Sequence, residues 1–259
     1  MMAAGHGTFP VVIDLEARKL ARATVARVAT VAALVLVLVT TAGGYAAAMH
    51  AGDTDLGRKA ASMVTSPGWD GYTALGATSV GVTMLLAAGV VMSWSAGREF
   101  VDGTIVGLFA IPPTLRTIAT AKMVAVLTWA TILGVVEAAV LTTAGLLLLG
   151  LGPGGAAGCF AVLALSAALI GGSALPVMWA ATRWRGYLAG IGLTLVILVV
   201  TNLAAGFGLG SYVPWSIPIV WASHQTEVST PLLATPVMTA AIGAWVTLRS
   251  WDRLQLGTD

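Results

Sequence analysis

The sequence predicts an all-α, polytopic membrane protein with six transmembrane helices, an amphipathic helix before the first span and a short helix between the second and third. Three observations carry this. Of 259 residues, 58% are hydrophobic and only 9% charged, against about 25% charged in a soluble domain. The apolar residues gather into runs near the roughly 20 residues that a bilayer core requires. The basic residues fall on one side of those runs. A net charge of +2 is too small to imply a nucleic-acid partner, so the placement of charge matters more than its sum.

Before the first span, Asp14, Arg18 and Arg22 share one helical stripe, and Ile13, Ala17 and Leu20 another. The pattern reads as a helix lying on the inner membrane surface, or as a basic flank that only sets topology. The spans follow at Val25 to Met49, Tyr72 to Ala96, Ala121 to Leu149, Ala157 to Ala181, Tyr187 to Gly206 and Pro231 to Leu248. The third exceeds one bilayer thickness, which implies tilt or continuation beyond it. Residues 1–24 then form a cytoplasmic N-terminal segment, 25–248 the six-span domain and 249–259 a cytoplasmic tail.

With the N-terminus inside, Arg18, Lys19, Arg22, Arg27, Arg98, Arg116, Lys122, Arg183, Arg185, Arg249 and Arg253 are cytoplasmic, and only Arg58 and Lys59 lie outside. That asymmetry fixes the expected orientation, with both termini cytoplasmic. The first span also resembles a cleaved signal peptide ending at Ala46, Ala47 and Ala48, but its apolar run reaches spanning length. The Ala, Gly and Val excess suits close packing in lipid, and base composition would produce it equally well.

The most informative stretch runs from Gly97 to Arg116. Glu99 and Asp102 suit the positive end of a short helix, and Pro112 and Pro113 force the residues before them out of helical geometry. Phe100, Leu108, Phe109 and Ile111 make this segment more apolar than a solvated linker needs. Gly103 and Gly107, one helical turn apart, would admit the close approach of another surface.

Glu99, Gly103, Thr104, Pro112 or Pro113, Arg116 and Lys122 stand in an order that resembles the permeases of type-2 ATP-binding-cassette exporters, especially small six-span antibiotic-resistance and multidrug efflux subunits. The resemblance implies that Glu99 to Ile111 is a coupling helix docking in a groove on a separate ATPase. Glu99, Phe100, Asp102, Gly103, Thr104, Gly107, Leu108, Pro112 and Arg116 are then the coupling residues. It further implies a second permease copy or paralogue, surrounding lipid, a bacterial cytoplasmic membrane, and ATP and Mg bound by the partner ATPase. A loop that only sets topology is the simpler alternative. Ser211 to Trp221, broken by Pro214 and Pro218, occupies the place of the family's re-entrant helices over the substrate path. Tyr212, Trp215 and Trp221 are its expected interfacial anchors, or a plain aromatic belt.

No cofactor is expected in this chain, and no enzymatic activity. No Gly-x-x-x-x-Gly-Lys-Ser/Thr phosphate cradle occurs. His6, His50 and His224 are scattered and Cys159 is the only cysteine, so the sequence offers neither metal-ligand spacing nor a disulfide. The substrate would be hydrophobic or amphipathic, such as a drug, a peptide antibiotic or a lipid. The rival reading is an ion- or proton-coupled carrier or channel using Glu137, the one carboxylate deep in a span. At that depth a charge costs roughly 2.5 to 3.5 kcal/mol, so Glu137 is expected to face the interior, with a transport role or a bond to a neighbour such as Asn202.

Overall fold

A chain in lipid must satisfy its backbone internally, and runs of Ala, Val and Leu do so as helices. The computed structural model describes residues 8–255 apart from 51, 53, 65 and 224–227. His6 and His224 lie outside the described residues. Among them the regular elements are all helical, and six helical stretches are long and apolar enough to cross a membrane. The protein is an all-α polytopic membrane protein.

Helix α1 (Thr8–Arg22) breaks at Ala23, whose extended backbone (ψ 126°) turns the chain into the first span. That span is α2 (Thr24–Leu38), a π-helical turn (Val39–Gly43) and α3 (Gly44–His50), where the sequence predicted one uninterrupted helix. The hydroxyl of Thr40 donates to the Leu36 carbonyl at 2.7 Å, competing with the backbone N–H for the same acceptor. A short helix, α4 (Asp55–Ala61), is capped by Thr54, whose hydroxyl accepts from the Gly57 N–H at 3.0 Å.

The second span, α5 (Trp69–Val101), and the third, α7 (Leu115–Leu147), have 33 residues each, with the single turn α6 (Ile105–Leu108) between them. At 1.5 Å per residue each long helix is about 50 Å, some 20 Å more than the hydrocarbon core. Their linked ends therefore project past the bilayer and carry the α6 loop with them. Thr114 caps α7, accepting from the Thr117 N–H at 3.1 Å.

The fourth span departs from expectation. It is broken into α8 (Ala156–Ser173) and α9 (Pro176–Arg183), because Pro176 has no N–H to continue the ladder. After α10 (Tyr187–Gly206), α11 (Ile217–Ser223) packs back onto α5 and α8, and α12 (Ala234–Asp252) closes the bundle against α7, α8 and α9. Helix α5 is central and touches α2, α7, α8, α9, α10 and α11. Its Val80, Met84, Ala88, Val91, Met92 and Ala96 are fully buried. Lipid tails are as apolar as these side chains, so the bundle is held by close packing rather than by escape from water. At Gly97 a Cβ would collide with the backbone of Gly186 and Tyr187, so only glycine lets α10 start there.

Candidate functional site

The projecting ends of α5 and α7 converge on a buried ion network. Lys122, two turns into α7, is 1% exposed, and its Nζ donates to Glu99 Oε1 at 2.7 Å and to Glu16 Oε2 at 2.9 Å. Lys19 donates to the other Glu16 oxygen at 2.7 Å, and the Thr104 hydroxyl donates to Glu99 Oε2 at 2.6 Å. Two ammonium groups thus face two carboxylates, and each carboxylate oxygen has a donor. Such matching is what lets ions leave water without a large penalty. The network ties α1, the last turn of α5, the loop and the first turns of α7 into one base.

This placement corrects the expected position of Glu99. It does not open a docking helix but closes α5 and is 4% exposed, so its carboxylate belongs to the base of the loop and not to its surface. Phe100 likewise ends α5, and its ring meets Trp251 edge-on at 6.4 Å. Asp102 is the exposed C-cap residue of α5, lying 3.9 Å from Arg98. The predicted helix from Glu99 to Ile111 is in fact one turn, Ile105–Leu108, because Gly103 takes a left-handed conformation (φ 68°) that breaks the helix before it. Gly103 is therefore explained by the turn, while Gly107 has nothing within 4 Å of where a Cβ would stand.

The turn has two faces. Ile105 and Leu108 pack inward on a small core of Val12, Ile118, Ala119, Ala121 and the fully buried Trp251. Val106, Phe109 and Ile111 point out, at 58%, 39% and 44% exposure. Pro112 is exposed beyond them. Arg116 pairs with Asp252 of α12 at 2.6 Å, both partners more than a third exposed, so the pair adds little stability by itself. Beside the turn is a cavity of about 390 Å³ between Phe100, Ile105, Val106, Phe109, Arg185 and the tail residues Leu254 and Gln255.

Sequence reasoning missed Glu16, Trp251 and Thr182, whose hydroxyl accepts from the Trp251 indole at 3.0 Å. The expected apolar stripe of Ile13, Ala17 and Leu20 is divided in the fold. Val12, Glu16 and Leu20 face the protein at i, i+4 and i+8, while Ala17 is exposed. The spacing of Glu16 between two apolar residues was the signal available.

The other candidates lie elsewhere. Glu137 is fully buried, its Oε1 accepting from Thr83 of α5 at 3.1 Å, and its Oε2 has no partner among the described residues. Asn202 instead is exposed and donates to the Leu198 carbonyl on its own helix. Tyr212 is 80% exposed. Trp215 instead turns inward and donates to the Ser173 carbonyl at 2.9 Å, at the break in the fourth span, and Trp221 packs partly buried on the main core. The three aromatics therefore do not form one belt.

A family model described as "ABC-2 family transporter protein" matches residues 12–201, from α1 into α10 and across the whole ion network and loop. No curated protein matches the chain.

Proposed function

This chain belongs to the ABC-2 transporter family, and from that premise we propose that it is the permease subunit of an ATP-driven exporter that receives its power stroke on the loop between α5 and α7. The family's permeases work with an ABC ATPase, which would bind the ATP and Mg. Val106, Phe109 and Ile111 are the docking face, Gly107 its point of closest approach, and Arg185 with the nearby tail its rim. The carrying observation is the pairing of this exposed apolar turn with the buried base beneath it, where Lys122 bonds to Glu99 and Glu16.

Closure of the ATPases would push the turn. The ion network makes α5, α7 and α1 follow it together, and Phe100 against Trp251 passes the motion to α12. The permease supplies a lever and a path, with a second copy or paralogue completing that path. It would sit in a bacterial cytoplasmic membrane with its basic end inside and move a hydrophobic or amphipathic compound outward, in the manner of multidrug or antibiotic efflux.

The test is Gly107→Trp beside Val106→Asp. Both positions are exposed, so both variants are expected to reach the membrane at normal levels, to lose co-purification with the ATPase and to stop transport. Normal assembly and export by both would reject the docking face. The carrier reading has one observation in its favour, the unpartnered Glu137 oxygen. It requires transport that continues without any ATPase.

A further inference from the structure

A groove of about 450 Å³ runs between α2 and α5, walled by Val28, Ala32 and Leu36 on one side and Leu86, Ala87 and Val90 on the other. It extends from Thr24 to Leu36 along α2, about 18 Å at helical rise and close to the roughly 15 Å depth of one leaflet's hydrocarbon. Val28 and Leu36 are 61% and 48% exposed, so it opens sideways toward lipid.

Its basic end is cationic. Arg22 and Arg27 flank Thr24; both are exposed, and neither has a carboxylate partner among the described residues. On α5, Ala87, Trp94 and Arg98 continue along one helical stripe toward the same end. The Arg98 guanidinium lies over the Trp94 ring, 4.7 Å from its centroid; its buried Nε makes no hydrogen bond, and the half-exposed Asp102 stands 3.9 Å from it. Three arginines thus stand at or beyond the Thr24 end of an apolar slot one leaflet deep, Arg22 at the end of α1, Arg27 in the first turn of α2 and Arg98 two turns past Val90 on α5.

We propose that this groove binds one acyl chain of an anionic phospholipid, whose headgroup is held by Arg22, Arg27 and Arg98. Charge selects the headgroup. The slot, with no polar group along its walls until Thr83 at its deep end, takes the chain. A second copy of the protein is a poorer occupant, because a two-fold contact would set the same three cations against their own copies.

Purified full-length protein, stripped of lipid and without any ATPase, is titrated with phosphatidylglycerol or phosphatidylcholine of identical chains and read by native mass spectrometry. Wild type is expected to bind the anionic lipid in preference. Arg22→Gln with Arg27→Gln should lower that preference roughly thirtyfold, at about 1 kcal/mol for each basic residue. Ala32→Phe, which fills the slot, should lower occupancy by both lipids. An unchanged preference in the double variant overturns the proposal. So does an Ala32→Phe protein that keeps its lipid but falls from dimer to monomer, which would assign the face to a second copy. As a check that needs no substitution, a phosphatidylglycerol carrying a diazirine on its chain should label Val28 and Leu36 in wild type, and even labelling over α10 and α12 would also overturn it. These readouts involve no ATPase, so they succeed or fail independently of docking at the loop.

Discussion

Lys122 gives up almost all its hydration in the fold, and only Glu16 and Glu99 repay it. Lys122→Met leaves two buried carboxylates facing each other, and we expect it to cost about 3 to 5 kcal/mol of stability, read as a lowered thermal midpoint of the purified protein. Adding Glu16→Gln and Glu99→Gln should recover much of that loss, because the charges disappear together. A single variant that melts with wild type would mean the network holds nothing. Glu137 poses a different case, since its one bond comes from Thr83. Thr83→Val should cost about 1 to 3 kcal/mol by leaving the carboxyl group without a donor, whereas Glu137→Gln should keep expression and folding. Transport by Glu137→Gln at the wild-type rate would leave that residue a purely structural role. Glu99 and Lys122 were legible from sequence as members of one ordered motif. Their contact, and Glu16 as the third member, were not, because the partners are 23 and 106 residues from Lys122.

Elements broke where local chemistry outweighed apolar length. The fourth span reads as one run of hydrophobic residues, yet Pro176 divides it, and the Ser173 carbonyl beside the break is satisfied by the indole of Trp215. Trp215→Phe keeps the ring and removes that donor. It is expected to cost about 1 to 3 kcal/mol, measured by thermal unfolding, and no loss would show that the break needs no partner. At the loop, Gly103→Ala should cost about 1 to 2 kcal/mol through its left-handed backbone, without touching the exposed face. If the ATPase docks on Val106 and Phe109, Gly103→Ala should still co-purify with it while Gly107→Trp does not. A helix of thirteen residues was the natural expectation from Glu99 to Ile111. What forms is a turn of four, and the remaining apolar residues are divided between the end of α5 and open loop.

Across the whole molecule, α5 is the hub: it carries Glu99 of the ion network, leads into the turn and packs against α11. Ile219 of α11 reaches Gly81, about 18 Å along α5 from Trp69, so any tilt of α5 at the basic end must be felt on the opposite side. The charge asymmetry predicts an orientation that can be tested: a cysteine at Asp55, in a Cys159→Ser background, should react with an impermeant thiol reagent in intact cells, and one at Arg183 should not. Labelling of Arg183→Cys from outside would invert the topology and move the proposed ATPase face to the wrong side of the membrane. Asp55 suits the test because it is exposed at the start of α4.

Sequence alone determined the six spans, the membrane setting and the family, because each rests on features that neighbours in the chain supply: apolar length, charge asymmetry and one ordered loop motif. The position of Gly103, Thr104 and the prolines also marked where α5 and α7 would be joined. Only the tertiary structure decided what those residues touch. Burial of Lys122 depends on three helices meeting, the inward turn of Trp215 on a break one element away, and the slot between α2 and α5 on how closely two small-residue surfaces approach. Those are long-range packing outcomes, and a helix carries no local record of which of its faces will meet a neighbour and which will be left to lipid.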